Sequence, residues 1–302
     1  MYLQHFGLVE APFSLTPNTG FFFGLAPHVE ALQVLQTALQ TGEGFIKVTG
    51  EVGTGKTLIC RKLLNDIPKR FHCAYLPNPY LTPDELRWAV ALELGLKYSA
   101  SIDQQQLTSL IQQQLIALSA HGHSIVLVLD EAQALPDESL EALRLFTNLE
   151  TESRKLLQVV LFAQPELDER LRLNKFRQLR QRITFSYQLR PLTRPETNAY
   201  LSHRLQIAGY KGQPLFSLAD SKRIAKAARG IPRLINILSH KALLLAFGEG
   251  LSVVSPHHVR AAINDTEDAE PIWGAKPWWL GAIGVASILS IVVWRWIVGG
   301  VA

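Results

Sequence analysis

Gly50-Glu51-Val52-Gly53-Thr54-Gly55-Lys56-Thr57 decides the reading of this chain. These eight residues fit the phosphate-binding loop G-x-x-x-x-G-K-[ST]. The apolar run Phe45-Ile46-Lys47-Val48 precedes them and reads as a buried strand. Leu58-Ile59-Cys60-Arg61-Lys62-Leu63-Leu64 follows as the first turns of a helix. A strand, a glycine loop and a helix N-terminus bring backbone N–H groups onto phosphate oxygens. Gly50, Glu51, Val52, Gly53, Thr54, Gly55, Lys56 and Thr57 are therefore the expected cradle for ATP. Lys56 is expected to reach the β- and γ-phosphates and the Thr57 hydroxyl to ligate Mg²⁺.

The second half of such a site needs one carboxylate on the metal and another on the attacking water. Ile125-Val126-Leu127-Val128-Leu129 reads as a strand buried on both faces, and it ends in Asp130-Glu131-Ala132-Gln133. Asp130 is the expected metal-side residue and Glu131 the expected catalytic one. A further strand, Leu157-Gln158-Val159-Val160-Leu161, leads to Ala163-Gln164-Pro165, and Gln164 is a candidate sensor of the γ-phosphate. Arg170, Arg172, Lys175, Arg177, Arg180 and Arg182 form a basic run that reads mostly as a solvated helix face. One of them is a candidate finger into a neighbouring subunit, with Arg182 first, then Arg180 and Arg177. Gly230-Ile231-Pro232-Arg233 sets Arg233 in the first turn of a helix, where it is a candidate γ-phosphate contact from a lid.

Around these motifs the chain divides into an N-terminal segment (1–43), an α/β unit (44–190), a helical lid (191–264), an acidic linker (265–277) and an apolar span (278–298). Strands at 44–49, 73–77, 124–129 and 156–162 alternate with helices, which predicts a doubly wound parallel sheet. Thr82-Pro83-Asp84-Glu85 opens one helix with a capping box and proline at the first helical position. After 190 the strand signal ends, and helices are expected from Thr193 to Gly209 and over 218–228, 232–247 and 256–264. Phe21-Phe22-Phe23, Pro12-Phe13 and Thr16-Pro17 sit ahead of the loop and read as packing residues near a base pocket.

The bulk properties are permissive. The 302 residues are 47% apolar with a net charge of +4, which allows nucleic acid or anionic lipid as partners and demands neither. Cys60 and Cys73 lack metal-ligand spacing and read as reduced core residues. The histidine pairs 121/123 and 257/258 read as surface residues, and no secretory signal opens the chain. The span is different, since no charged residue appears between Trp278 and Val293. Continued as a helix to Trp296 it would be about 28 Å long, a bilayer core in length. Trp273, Trp278 and Trp279 flank one end and Trp294 and Trp296 the other. ATP is cytoplasmic, so the expected topology is a cytoplasmic ATP-binding unit held to the inner membrane by one C-terminal helix.

Together the phosphate loop, Asp130-Glu131, Gln164, the arginine run and Gly230-Ile231-Pro232-Arg233 resemble the AAA+ ATPases. Phe6-Gly7-Leu8, Gln164-Pro165-Glu166-Leu167 and Gln181-Arg182-Ile183 narrow the resemblance. They are similar to the group of general secretion pathway protein A (ExeA), and within it to ATPases of mannose-sensitive haemagglutinin (MSHA) type IV pilus biogenesis. The resemblance implies Mg²⁺-dependent ATP hydrolysis, a ring-like oligomer and work on pilus or secretion machinery, with no nucleic acid as partner. The chain departs from the pattern at Ala163, where glycine is expected before the glutamine. It also lacks the peptidoglycan-binding domain expected after the span, so no direct cell-wall contact is expected. Two other readings stand beside this one: a DNA-binding AAA+ ATPase of the transposition or replication-loader type, and a nucleotide-gated scaffold with negligible turnover.

Overall fold

Runs of β-branched and aliphatic residues that cannot be solvated on either face become a central sheet with helices on both sides. The computed structural model describes residues 1–99, 102–147 and 155–271. In chain order the first elements are α1 (Tyr2–His5), α2 (Ala26–Thr41), β1 (Phe45–Gly50), α3 (Lys56–Asp66) and β2 (Phe71–Leu76). Next come α4 (Pro83–Glu93), α5 (Gln104–Ala120), β3 (Ser124–Leu129), α6 (Asp137–Phe146) and β4 (Leu157–Ala163). The last are α7 (Glu166–Leu171), α8 (Arg177–Arg182), β5 (Ile183–Leu189), α9 (Arg194–Ile207), α10 (Leu218–Ala227), α11 (Pro232–Gly248) and α12 (Pro256–Asn264).

The strands are all parallel in the order β2-β3-β4-β1-β5. This order places β1 between β4 and β5, so the loop leaving Gly50 opens beside the C-terminal end of β4. All seven residues of β4 are buried. Its one polar side chain, Gln158, donates to the carbonyls of Leu39 at 3.2 Å and Glu43 at 3.0 Å, which offsets the desolvation of its amide. One sheet face packs against α4 to α8 through Leu86, Leu107, Ile111, Leu115, Leu140 and Leu179. The other packs against α2 and α3 through Leu35, Ile59, Cys60 and Leu63.

A third core lies beyond the sheet. Phe6, Leu8, Phe13, Phe21 and Leu25 of the N-terminal segment pack with Leu201, Ile235, Leu238, Leu243 and Val259 of α9, α11 and α12. The start of the chain is thus covered by its C-terminal helices. Capping boxes open α4 at Thr82 and α9 at Thr193, where the sequence places them. The junction with α11 is tight. Gly230 has φ +72°, and a Cβ there would stand 2.1 Å from the Leu192 carbonyl, so a side chain would break the Leu192 N–H to Gly230 carbonyl bond of 2.8 Å.

One local expectation needs correction. His258 is not a surface residue. It caps α12, with Nδ1 accepting from the Ser255 N–H at 3.0 Å and Nε2 2.9 Å from Glu249, and it is 1% exposed. The basic run is mostly exposed, as read, with Arg170 turning inward onto the carbonyls of Gln133 and Leu135, each at 2.8 Å. Buried carbonyls at the β3 exit take a guanidinium more favourably than water does. The expected span at 278–298 lies outside the described residues. Among those described, no helix is long and apolar enough to cross a membrane.

Candidate nucleotide site

The loop after β1 wraps its own lysine. Lys56 Nζ donates to the carbonyls of Gly50 at 2.7 Å and Glu51 at 3.0 Å, with 5% of the residue exposed. Burial pulls its pKa down, while Glu131 and Asp130 nearby oppose the shift. Thr54 closes the turn through its hydroxyl to the Glu51 carbonyl at 2.8 Å. Gly53 has φ +81°, and a Cβ on it would meet Arg233 Cβ at 2.6 Å. The loop therefore needs glycine here for conformation and for the close approach of α11. The Arg233 N–H donates to the Gly53 carbonyl at 3.1 Å, so the helical part is joined directly to the phosphate loop.

Across the site, β3 delivers Asp130 and Glu131 to different tasks. Asp130 is 3% exposed, and the Thr57 hydroxyl lies near it. Burial raises its pKa, and the nearby Thr57 hydroxyl and the bond from the Glu131 N–H (3.0 Å) oppose this. Glu131 turns away with φ 53° and ψ 37°, an arrangement uncommon for a residue with a side chain. Its Oε2 accepts from Gln133 Nε2 and from Gln164 Nε2 at 3.2 Å. One cavity of about 200 Å³ is lined by Gly53, Gly55, Lys56, Thr57, Glu131, Gln164 and Arg233 among others.

The residues fit a nucleoside triphosphate with Mg²⁺. The first N–H groups of α3 have no acceptor within their own helix and face the loop. Thr57 and Asp130 form an oxygen pair suited to a hard cation, and the hydroxyl lies near the carboxylate. Among the described residues, no cluster of three or more His, Cys, Asp or Glu side chains offers a separate metal site.

Arg182 is not at this cavity. Its Nη1 donates to the Arg144 carbonyl at 3.1 Å and to Thr147 Oγ1 at 3.0 Å, at the C-terminal end of α6. Arg180 reaches the carbonyls of Leu171 and Arg172, and Arg177 is exposed. The structure also adds residues that the motifs do not mark. Tyr200, Arg204 and Asn236 line the cavity, with the Tyr200 hydroxyl 3.0 Å from Asn236 Oδ1. His28 is 3% exposed, with Nε2 3.1 Å from the Thr54 carbonyl, and burial lowers its pKa. Nothing in their spacing signals these positions, because α2, α9 and α11 are distant in sequence from the loop and only the packing of the cores brings them to it.

A phosphate loop on β1, carboxylates on β3, an amide at the end of β4 and an arginine from the C-terminal helices define a P-loop ATPase of the AAA type. Residues 39–171 match the family model described as AAA domain. The chain is 46% identical over 250 residues to General secretion pathway protein A of Aeromonas hydrophila, across 83% of this chain. It spans only 46% of that protein's length. The chain thus carries an AAA-type ATPase domain and, over most of its own length, is similar to General secretion pathway protein A.

Solved structures agree on the fold. Cdc6p from Pyrobaculum aerophilum matches with a TM-score of 0.68 at 20% identity, covering 90% of this chain and 74% of that one. Drosophila ORC bound to DNA gives 0.59 at 20% identity, with coverages of 84% and 65%. The ORC2 protein of Aeropyrum pernix gives 0.59 at 17%, with coverages of 82% and 71%.

Proposed function

We propose that this chain hydrolyses ATP with Mg²⁺ and uses the resulting movement of its C-terminal helices to support assembly of a type IV, MSHA-like pilus or related secretion machinery at the inner membrane. The observation that carries the reading is the single cavity in which Lys56, Thr57, Glu131 and Gln164 meet Arg233. In this reading Lys56 and the loop N–H groups hold the phosphates, and Thr57 and Asp130 hold Mg²⁺. The metal would supply charge neutralisation at the β- and γ-oxygens. Glu131 orients the attacking water, Gln164 contacts the γ-phosphate, and Arg233 transmits its loss to α11 through the bond at Gly53. The lid is the helical region 191–264, and the segment 1–43 leads into the pocket. In a ring of copies, one of Arg182, Arg180 and Arg177 is proposed to complete the neighbouring site.

The 46% identity to General secretion pathway protein A supports a role in secretion-type machinery. The tail at 278–298 is proposed as a single membrane span after the acidic linker 265–277, leaving the ATPase in the cytoplasm. Detergent co-purification from native membranes tests the whole proposal. A Glu131→Gln chain should retain pilus or secretion components that Lys56→Ala loses. Retention of DNA and DNA-processing proteins would contradict it.

The DNA-binding alternative draws on the fold shared with ORC and Cdc6 structures. Arg170, Arg180 and Arg182 are engaged with carbonyls of their own chain, which breaks the run as a track for phosphates. A steep loss of duplex binding with salt would support that alternative, and a flat, weak profile the primary reading.

A further inference from the structure

Gln133 bridges the exits of β3 and β4 beside Glu131. After the left-handed turn at Glu131, a short 3-10 turn, Ala132–Ala134, brings the Gln133 side chain back against the glutamate. Gln133 Nε2 donates to Glu131 Oε2. Its Oε1 accepts from the Gln164 N–H at 3.0 Å, at the exit of β4. Its own carbonyl accepts from Arg170 Nη1 at 2.8 Å, and Arg170 Nη2 is held in turn by Leu135 and by the Asp137 carboxylate. The amide is thus used at both ends, donor to a carboxylate and acceptor for a backbone N–H. No other side chain supplies both at this length: a glutamate would repel Glu131, and an apolar residue would leave the Gln164 N–H unpaired.

We infer that Gln133 is the positioning residue of the reaction, fixing Glu131 through Oε2 so that the second carboxylate oxygen faces the attacking water. The same amide ties that geometry to Gln164, so the glutamate and the γ-phosphate contact move together. This inference rests on the role proposed for Glu131. Arg170 supports it from behind by holding the turn that carries Gln133.

Steady-state ATP hydrolysis and equilibrium binding of a fluorescent ATP analogue, measured on the full chain, test the idea. Gln133→Met should lower kcat about ten- to a hundredfold while leaving nucleotide affinity within about threefold. Combined with Glu131→Gln it should cost nothing further, because the two residues act as a unit. If Gln133→Met fails to fold, Gln133→Asn, which withdraws the amide by one methylene, carries the same expectation. A kcat within about twofold of the unsubstituted chain, or an affinity loss as large as the kcat loss, overturns the inference. Unchanged turnover in Glu131→Gln alone would instead remove the role of Glu131, a separate failure.

Discussion

Gly53 and Glu196 show how single residues set the terms for the site. Gly53→Ala forces a side chain into a left-handed backbone position with Arg233 Cβ 2.6 Å from the new carbon. The variant should lose about 1–3 kcal/mol of stability, visible as a lower melting midpoint, and bind ATP more weakly. Glu196 caps α9 and takes both Arg190 nitrogens, at 2.8 and 2.9 Å, and these bonds pull its carboxyl down to about 2. A depressed carboxyl contributes stability that is complete above its unfolded value and lost as pH falls through the folded one. Glu196→Gln should therefore cost on the order of 1 kcal/mol at pH 7. That difference should close between about pH 4.5 and pH 2, read by denaturant titration across pH. The residues of the phosphate loop and Asp130-Glu131 were legible in the sequence because their spacing is dictated by phosphate and metal geometry. Gln133 stood in the same motif without a role, since its partner on β4 is distant in sequence and only the sheet order brings the two together.

At the scale of elements, periodicity was enough for β1 to β4 and for α9 to α12, with prolines in the first turns of α9, α11 and α12, while the edge strand β5 (Ile183–Leu189) was not among the expected strand ranges. It was not enough for the N-terminal segment. Aromatic residues at 6, 13 and 21 carry no periodic signal, and their partners on α9, α11 and α12 lie far along the chain. Arg204 holds this contact. Its guanidinium donates to the carbonyls of Pro12 and Ser14, with its centre 4.3 Å from the Phe21 ring centroid. Arg204→Lys keeps the charge and loses the planar fork. Limited proteolysis should then cut within residues 10–20 faster, and ATP affinity should fall because Ser14, Thr16 and Asn18 line the same cavity. Within the mostly exposed arginine run, the inward turn of Arg170 was not legible for a related reason, since charge spacing does not reveal which carbonyls a sheet exit leaves without partners.

For the molecule as a whole, the α/β core, the C-terminal helices and the phosphate loop form one connected unit, joined at the Arg233 to Gly53 hydrogen bond and at Gly230. In the proposed mechanism that continuity would let a change at the γ-phosphate become a movement of helices. The membrane attachment proposed for 278–298 belongs to this scale as well. A chain ending at 271 should leave the membrane fraction on alkaline extraction, while the complete chain should stay. The central claim is the ATPase itself, and turnover of the purified chain with Mg²⁺, compared with Lys56→Ala and Glu131→Gln, tests it most directly. The expected result is turnover in the unsubstituted chain, loss of both binding and turnover in Lys56→Ala, and retained binding with turnover down about a hundredfold or more in Glu131→Gln. Unchanged hydrolysis in Lys56→Ala would contradict the account.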